Sequence, residues 1–281
     1  MPIAFRPLSP VMGSEVTGFD PAVALDDGDM AHLRQRWSND GILVFHGLHD
    51  MTVEQQIALS RRLGDLDVDS LSTFTLPGHP EIFVVSNVEV DGKPIGARVS
   101  PTWHSDGQYL ERPTAGSFLH AKEVPDGHGD TLFANMHAAY SALPEATQRR
   151  IAGLRIVHSR VKTYAKSFPN WPPPTEAQKH TMPDVSHPLV RTHPETGRKG
   201  LYIGGHSAWS IAGMEHGEAS ALIAELRDFA TQDRFVYRHR WSEGDAVLWD
   251  NRCTMHCPTA FDMQRHRRIL YRTTIKGDAP F

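Results

Sequence analysis

Cysteine is almost missing. The 281-residue chain has two, Cys253 and Cys257, only four positions apart. A disulfide framework needs more thiols, better spread, so the pattern predicts a reducing compartment, the cytoplasm. Long apolar runs are missing as well. No stretch approaches the ~20 residues of a membrane span. The opening Met1-Pro-Ile-Ala-Phe-Arg-Pro-Leu-Ser-Pro10 lacks the continuous apolar core of a signal peptide. Neither sign of charge dominates: the formal net charge is −4, which points away from nucleic acid and anionic membranes as partners. There is no internal repeat and no low-complexity tract. The remainder, 40% hydrophobic and 22% charged, is ordinary for a globular protein with a substantial core. β-sandwiches and barrels often run to roughly 200–250 residues as one unit, so one domain over 1–281 is expected. A homo-oligomer, dimer or tetramer, is the expected assembly.

Local patterns predict many short strands and few helices. Asp26 to Trp37 reads as a helix opened by acidic residues. Thr52-x-x-Gln55 is a capping box before a second helix. Gly41-Ile-Leu-Val-Phe-His46 suits a buried strand. Ile82–Ser86 and Asn87–Val90 read as strand, ended by the tight turn Asp91-Gly92. Further strands are expected at Ser117–Ala121, Leu201–Ile203, Phe235–Tyr237, Ala246–Trp249 and Ile269–Tyr271. Helices should start near Ser141, with Pro144 in the first turn, and span Glu218–Ala230. The prolines crowded into 165–188 exclude long helices and central strands there and predict a lid or loop insertion. With no regular βαβ alternation, the pattern favours an antiparallel sandwich or barrel.

What the chain does have is histidine, 17 in all. One group stands out: Trp103-His-Ser-Asp106, followed far downstream by Trp249-Asp-Asn-Arg-Cys-Thr-Met-His256. Two histidines and one carboxylate on one ion, with other positions open, form the facial triad of non-haem Fe(II) oxygenases. On a strand or strand end, His104 and Asp106 would share one face. A lone His-x-Asp is weak evidence, and the chain carries decoys. His128-Gly-Asp130 lies in a glycine-rich turn, and His216-Gly-Glu218 precedes a helix that Glu218 caps or flanks. The cysteines raise a zinc reading, since a structural zinc site closes with four protein ligands. Strand alternation puts Cys253 and Cys257 on the face opposite His256, against that reading. Downstream, alternation aligns Arg268, Leu270, Arg272 and Thr274. Two buried guanidiniums on one face call for anionic partners, although a solvated basic face fits the same pattern.

These motifs resemble the taurine dioxygenase and chlorophenoxyacetate dioxygenase (TauD/TfdA) family of Fe(II)- and 2-oxoglutarate-dependent oxygenases. The markers run nearly the whole chain: Gln55-Gln-Ile-Ala58 with Leu63-Gly64, Trp103–Asp106, Gly129-Asp-Thr131, His187–His193, Gly197-Arg-Lys199, Trp249–His256 and Arg267–Arg272. The resemblance implies a mainly β fold with flanking helices, a double-stranded β-helix or jelly roll. It implies that His104, Asp106 and His256 bind Fe(II). Thr131 and Arg268 would hold the distal carboxylate of the co-substrate 2-oxoglutarate, and Arg272 the anionic group of the primary substrate. The implied reaction consumes O2, releases succinate and CO2, and hydroxylates a carbon of a small organic acid. Where that carbon bears an ether oxygen, the product falls apart.

The taurine branch carries a sulfonate-binding histidine where this chain has Asp69, and a carboxylate repels a sulfonate. The likeness leans instead to the aryloxyalkanoate branch, so an aryloxyalkanoate or aromatic carboxylate is the expected substrate. An alkyl sulfonate, sulfate ester or amino-acid derivative is the alternative. Asp69, Tyr109 and His206 are assigned to the substrate site, with Tyr164, Phe168, Trp171 and Trp209 as further cavity walls. Two other classes compete: a metal-binding jelly-roll module without turnover, and a zinc hydrolase.

Overall fold

The structure is a computed structural model that describes residues 2–68, 74–98, 101–167 and 173–281. In chain order its first strands are β1 (Ala4–Pro7), β2 (Ser14–Thr17), β3 (Ile42–Phe45), β4 (Thr75–Leu76), β5 (His79–Ser86), β6 (Glu89–Val90) and β7 (Lys93–Pro94). Then come β8 (Gly116–Glu123), β9 (Thr131–Asn135), β10 (Arg155–His158), β11 (Val185–Pro188), β12 (Val190–Thr192), β13 (Lys199–Leu201) and β14 (Ala208–Ile211). The last are β15 (Val236–His239), β16 (Ala246–Asp250), β17 (Thr254–Pro258) and β18 (Ile269–Ile275). The helices are α1 (Asp27–Asp40), α2 (Val53–Leu63), α3 (Met136–Ala142), α4 (Glu145–Ile151), α5 (Arg160–Ser167), α6 (Glu176–His180) and α7 (His216–Ala230).

The main sheet has eight strands in the order β1-β2-β3-β16-β8-β18-β5-β4. A smaller sheet, β15-β9-β17, completes the jelly roll. Alternation explains why β3 and β16 are apolar throughout. Ile42, Val44, Val247 and Trp249 join one buried cluster that reaches across to Phe133 of the smaller sheet. Leu43, Phe45, Ala246 and Leu248 join a second, closed by Leu33 and Trp37 of α1 and Leu59 and Leu63 of α2. A strand buried on both faces must be apolar at every position.

α2 starts at the expected capping box, Thr52 and Gln55 each satisfying the other's backbone N–H. It docks on β18 partly through polar groups: Gln56 Nε2 donates to the Tyr271 carbonyl at 2.9 Å, and the Ser60 and Thr273 hydroxyls lie 2.6 Å apart. Asp91 and Gly92, both at positive φ, turn β6 into β7 as I′ geometry requires.

One expectation needs correction. The helix awaited from Ser141 is two helices: α3, capped by Asn135, ends at Ala142, and Pro144 stands at the N-cap of α4. A propensity reading overlooks α3 because Met136-His-Ala-Ala-Tyr continues directly from a strand. Among the described residues the segment 165–188 holds no long helix and no central strand, as its prolines predict. Residues 168–172 lie outside the described residues, but the rest carries the end of α5, the five-residue α6 and β11. Pro188 is tolerated because β11 is at the edge of its sheet, β11-β10-β14. Glu218 flanks the start of α7, in its first turn, and Glu215 is the cap, accepting from the N–H groups of Gly217 and Glu218.

Candidate active site

β17 pairs with β9 so that His256 faces Phe133, which turns its ring into the space between the sheets. Trp249 packs 4.8 Å from that ring, centroid to centroid. His104 arrives by a one-residue bridge. Its N–H donates to the His256 carbonyl at 2.9 Å, and the His256 N–H donates back at 2.7 Å. The two rings stand 4.1 Å apart. A Cβ added to Gly205 would lie 2.5 Å from the Cβ of His104, so only glycine lets that chain pass behind the histidine.

His104-x-Asp106 lies at a strand end: a single bridge holds His104, and a turn over residues 106–109 begins at Asp106. Asp106 Oδ1 lies 3.9 Å from His104 Nε2. His104, Asp106 and His256 each offer a ligand atom within 4.8 Å of the other two.

Protonation suits a cation. His104 Nδ1 lies 2.7 Å from the Thr102 carbonyl, which can only accept. Nδ1 therefore carries the hydrogen and Nε2 presents its lone pair. Burial pushes the His256 imidazole well below its ordinary value; His104 and Arg272 add to this, and Asp106 opposes it. For Asp106 burial opposes the charge, but Arg272, His256, His104 and the Ser117 hydroxyl outweigh it and hold the carboxyl below the usual range. Two neutral imidazoles and a carboxylate are the ligand set of an open Fe(II) site, so the residues fit such an ion.

Among the described residues one other cluster has ligand types at this spacing: His193, Asp250 and Cys253. Its carboxylate is already occupied. Arg252 donates to both oxygens of Asp250, through Nε at 2.9 Å and Nη2 at 2.6 Å, and His193 Nε2 spends its hydrogen on the same carboxylate at 3.0 Å. Burial also pushes the Cys253 thiol well above its ordinary value. Cys253 sits in the turn before β17, not on the strand, while Cys257 lies on β17 itself. The decoys resolve in the same way. Asp130 accepts from Arg238 at 2.6 Å, His128 packs on His266, and His216 stacks on Trp209.

Arg268 and Arg272 are both drawn inwards, with different partners. Arg272 NH1 donates to Asp106 Oδ1 at 3.0 Å, and its guanidinium lies over the Phe83 ring. Arg268 is buried, and among the described residues no acidic side chain pairs with it. Its Nε has no hydrogen-bond partner, and burial lowers its pKa to about 10, with only Asp130 opposing. It packs beside the chain leading into Thr131: a Cβ on Gly129 would lie 3.2 Å from its Nε. The Thr131 hydroxyl accepts a hydrogen bond from Trp241 Nε1 at 3.0 Å, leaving its own proton to donate. A buried guanidinium with no acidic partner among the described residues and a hydroxyl with a proton left to donate are groups chemically suited to a carboxylate.

Tyr109 lies 4.5 Å below the Arg160 guanidinium. Burial raises its phenol pKa; the cations Arg160 and Arg272 oppose the shift, and Asp106 and Asp67 add to it. The His206 ring stands 5.8 Å from that of His104. Asp69, Phe168 and Trp171 fall outside the described residues.

A family model described as taurine catabolism dioxygenase TauD, TfdA family, matches residues 4–274. The chain belongs to the TauD/TfdA family. Among its curated relatives in that family is an alpha-ketoglutarate-dependent 2,4-dichlorophenoxyacetate dioxygenase from Cupriavidus pinatubonensis, 35% identical over 98% of both chains. An (S)-phenoxypropionate/alpha-ketoglutarate-dioxygenase from Sphingobium herbicidovorans is 37% identical over 97% of this chain and 94% of its own. The crystal structure of AAD-2 in complex with Mn(II) and N-oxalylglycine superimposes with a TM-score of 0.84 and 33% identity, covering 100% of this chain and 99% of that one.

Sequence reasoning misses Trp241, Ser117 and Asn251, which contact Thr131 and Asp106. Asn251 lies inside the Trp249–His256 motif, where its position alone gives it no role. Trp241 and Ser117 carry no local signal, since their partners are remote in the chain or reached only through the turn.

Proposed function

We propose that the protein is an Fe(II)- and 2-oxoglutarate-dependent dioxygenase of a small organic acid, an aryloxyalkanoate or aromatic carboxylate. The observation that carries this reading is the convergence of His104, Asp106 and His256; a buried guanidinium, Arg268, that lacks an acidic partner among the described residues supports it. The named activities of the relatives support the substrate class. Fe(II) with 2-oxoglutarate would supply the activation of O2, with succinate and CO2 as co-products of hydroxylation. Hydroxylation at the carbon bearing an ether oxygen yields a hemiacetal, which collapses to a phenol and a carbonyl acid.

The chain's own residues supply placement. His104 Nε2, a ring nitrogen of His256 and the Asp106 carboxylate hold the ion. Arg268 and the Thr131 hydroxyl bind the distal carboxylate of 2-oxoglutarate. Arg272, beside Asp106, meets the substrate anion, with Tyr109 and His206 as walls. Phe133 and Trp249 exclude water behind His256. The whole of 1–281 works as one oxygenase domain. The cytoplasmic setting is supported by two free, buried thiols; among the described residues no helix is long and apolar enough to cross a membrane.

Succinate release, measured across aryloxy acids, alkyl sulfonates, sulfate esters and amino-acid derivatives, tests the reading. The aryloxy acids should give the highest rate, and no release with any of them would refute the substrate class. Arg268→Ala should raise the 2-oxoglutarate concentration for half-saturation by roughly 10- to 100-fold, the loss of a charge-assisted pair of about 1.5–3 kcal/mol. An unchanged requirement would mean that another group holds that carboxylate. Arg272→Ala should raise the KM of the aryloxy acid more than that of 2-oxoglutarate. The reverse pattern would exchange the roles of the two arginines.

A further inference from the structure

We propose that Ser117 and Asn251 are positioning residues that decide which oxygen of Asp106 is offered to the metal. The inference rests on the reading of His104, Asp106 and His256 as ligands. Its basis is a closed ring of hydrogen bonds behind the carboxylate. Asn251 directly follows β16. Ser117 lies on β8, opposite Trp249 of β16 and Thr274 of β18. The Asp106 N–H donates to Asn251 Oδ1 at 3.0 Å, and Trp249 Nε1 donates to the same oxygen at 3.0 Å. Two donors on that oxygen fix the direction of the amide.

The rest follows from proton counting. Asn251 Nδ2 donates to Ser117 Oγ at 3.1 Å. Ser117 therefore accepts on that side, and its single proton is sent to Asp106 Oδ2 at 2.7 Å. Ser117 and Asn251 are fully buried, so water does not compete for these groups. With Oδ2 taken by Ser117, Oδ1 is the atom turned towards His104 Nε2, at 3.9 Å, where it also accepts from Arg272 at 3.0 Å. A carboxylate free to turn about its Cβ–Cγ bond would present either oxygen and lose that freedom on binding. The ring removes the freedom in advance, so part of the ordering cost of metal binding is already met by the fold. Neither residue touches the ion.

The test reads metal occupancy, not turnover. Mn(II) is titrated into the apoprotein without 2-oxoglutarate or substrate, and the free ion is followed by electron paramagnetic resonance. Ser117→Ala should raise the Mn(II) Kd by roughly 10- to 100-fold, the usual effect of losing a partner that orients a ligand. At saturating Mn(II) its anaerobic affinity for 2-oxoglutarate should stay within about twofold of wild type, a split that general loosening would not produce. Ser117→Cys keeps the volume with a weaker donor and should weaken Mn(II) several-fold. It decides the matter if the alanine variant does not fold. Wild-type Mn(II) affinity in a folded Ser117→Ala or Ser117→Cys overturns the proposal. His104→Ala separates the two levels: if it also binds Mn(II) like wild type, the ligand assignment itself is wrong.

Discussion

Replacing His104 by alanine should abolish oxygen-dependent succinate release. Loss of a residue that merely orients a ligand costs roughly 10–100-fold, so loss of a ligand should exceed about 100-fold. The variant should still fold, because the bridge that holds this segment is made by the main chains of His104 and His256, and alanine keeps both groups. What disappears is the Nε2 lone pair that the Thr102 carbonyl, through Nδ1, aims at the site. Succinate formation coupled to O2 uptake, together with circular dichroism, gives the measurement. A folded variant that releases succinate at the wild-type rate would remove His104 from the ligand set.

The second large effect concerns stability. Asp250 is fully buried and accepts from the Arg252 backbone N–H and guanidinium and from His193 Nε2 at 3.0 Å. Asp250→Ala leaves the buried Arg252 with only Glu195, 2.6 Å away. Breaking a buried pair on one side costs about 3–5 kcal/mol, which should appear as a large fall in the urea midpoint. The double variant Asp250→Leu/Arg252→Met, with no charge left behind, should be less destabilised than Asp250→Ala. A wild-type midpoint for Asp250→Ala would show that the pair contributes no net stability. The pH dependence has a definite sign. Burial opposes the Asp250 charge, but Arg252 and His193 outweigh it, so its folded pKa lies below the usual carboxylate value. Its contribution is complete above the unfolded pKa of about 3.9 and is lost as pH falls through the folded value. Because Asn251 and Arg252 share one turn with Asp250, this network also anchors the Asn251 amide that orients Asp106.

Legibility in the sequence followed the range of each interaction. The capping box of α2, the Asp91-Gly92 turn and the apolar runs of β3 and β16 each depend on neighbours within a few residues or on simple two-sided burial. Residue order alone makes all of these readable. The helix α3 was not legible, because nothing in its composition separates it from the strand that precedes it. The pairing of His104 with Asp106 is legible as a motif at a strand or strand end, but that one bridge rather than a ladder holds it is not. A single bridge followed by a turn brings the side chains as close as a pleat would, and no local propensity distinguishes the two. Cys253 was misplaced for a similar reason: alternation was extended into a turn.

From its residues alone, this chain offered the candidate ligand types, two arginines on one face of a strand and the motifs that carry the family resemblance, because those are residue types at fixed spacings. The assignment of partners waited for the fold. That Arg272 meets Asp106 while Arg268 has no acidic hydrogen-bond partner among the described residues, that Trp241 commits the Thr131 hydroxyl, and that Ser117 and Asn251 hydrogen-bond to Asp106 all depend on groups far apart in the chain or on strands that only pairing brings together. A hydrogen bond is directional and short-ranged, so the partner it selects is set by the coordinates of the folded chain, not by the order of the residues.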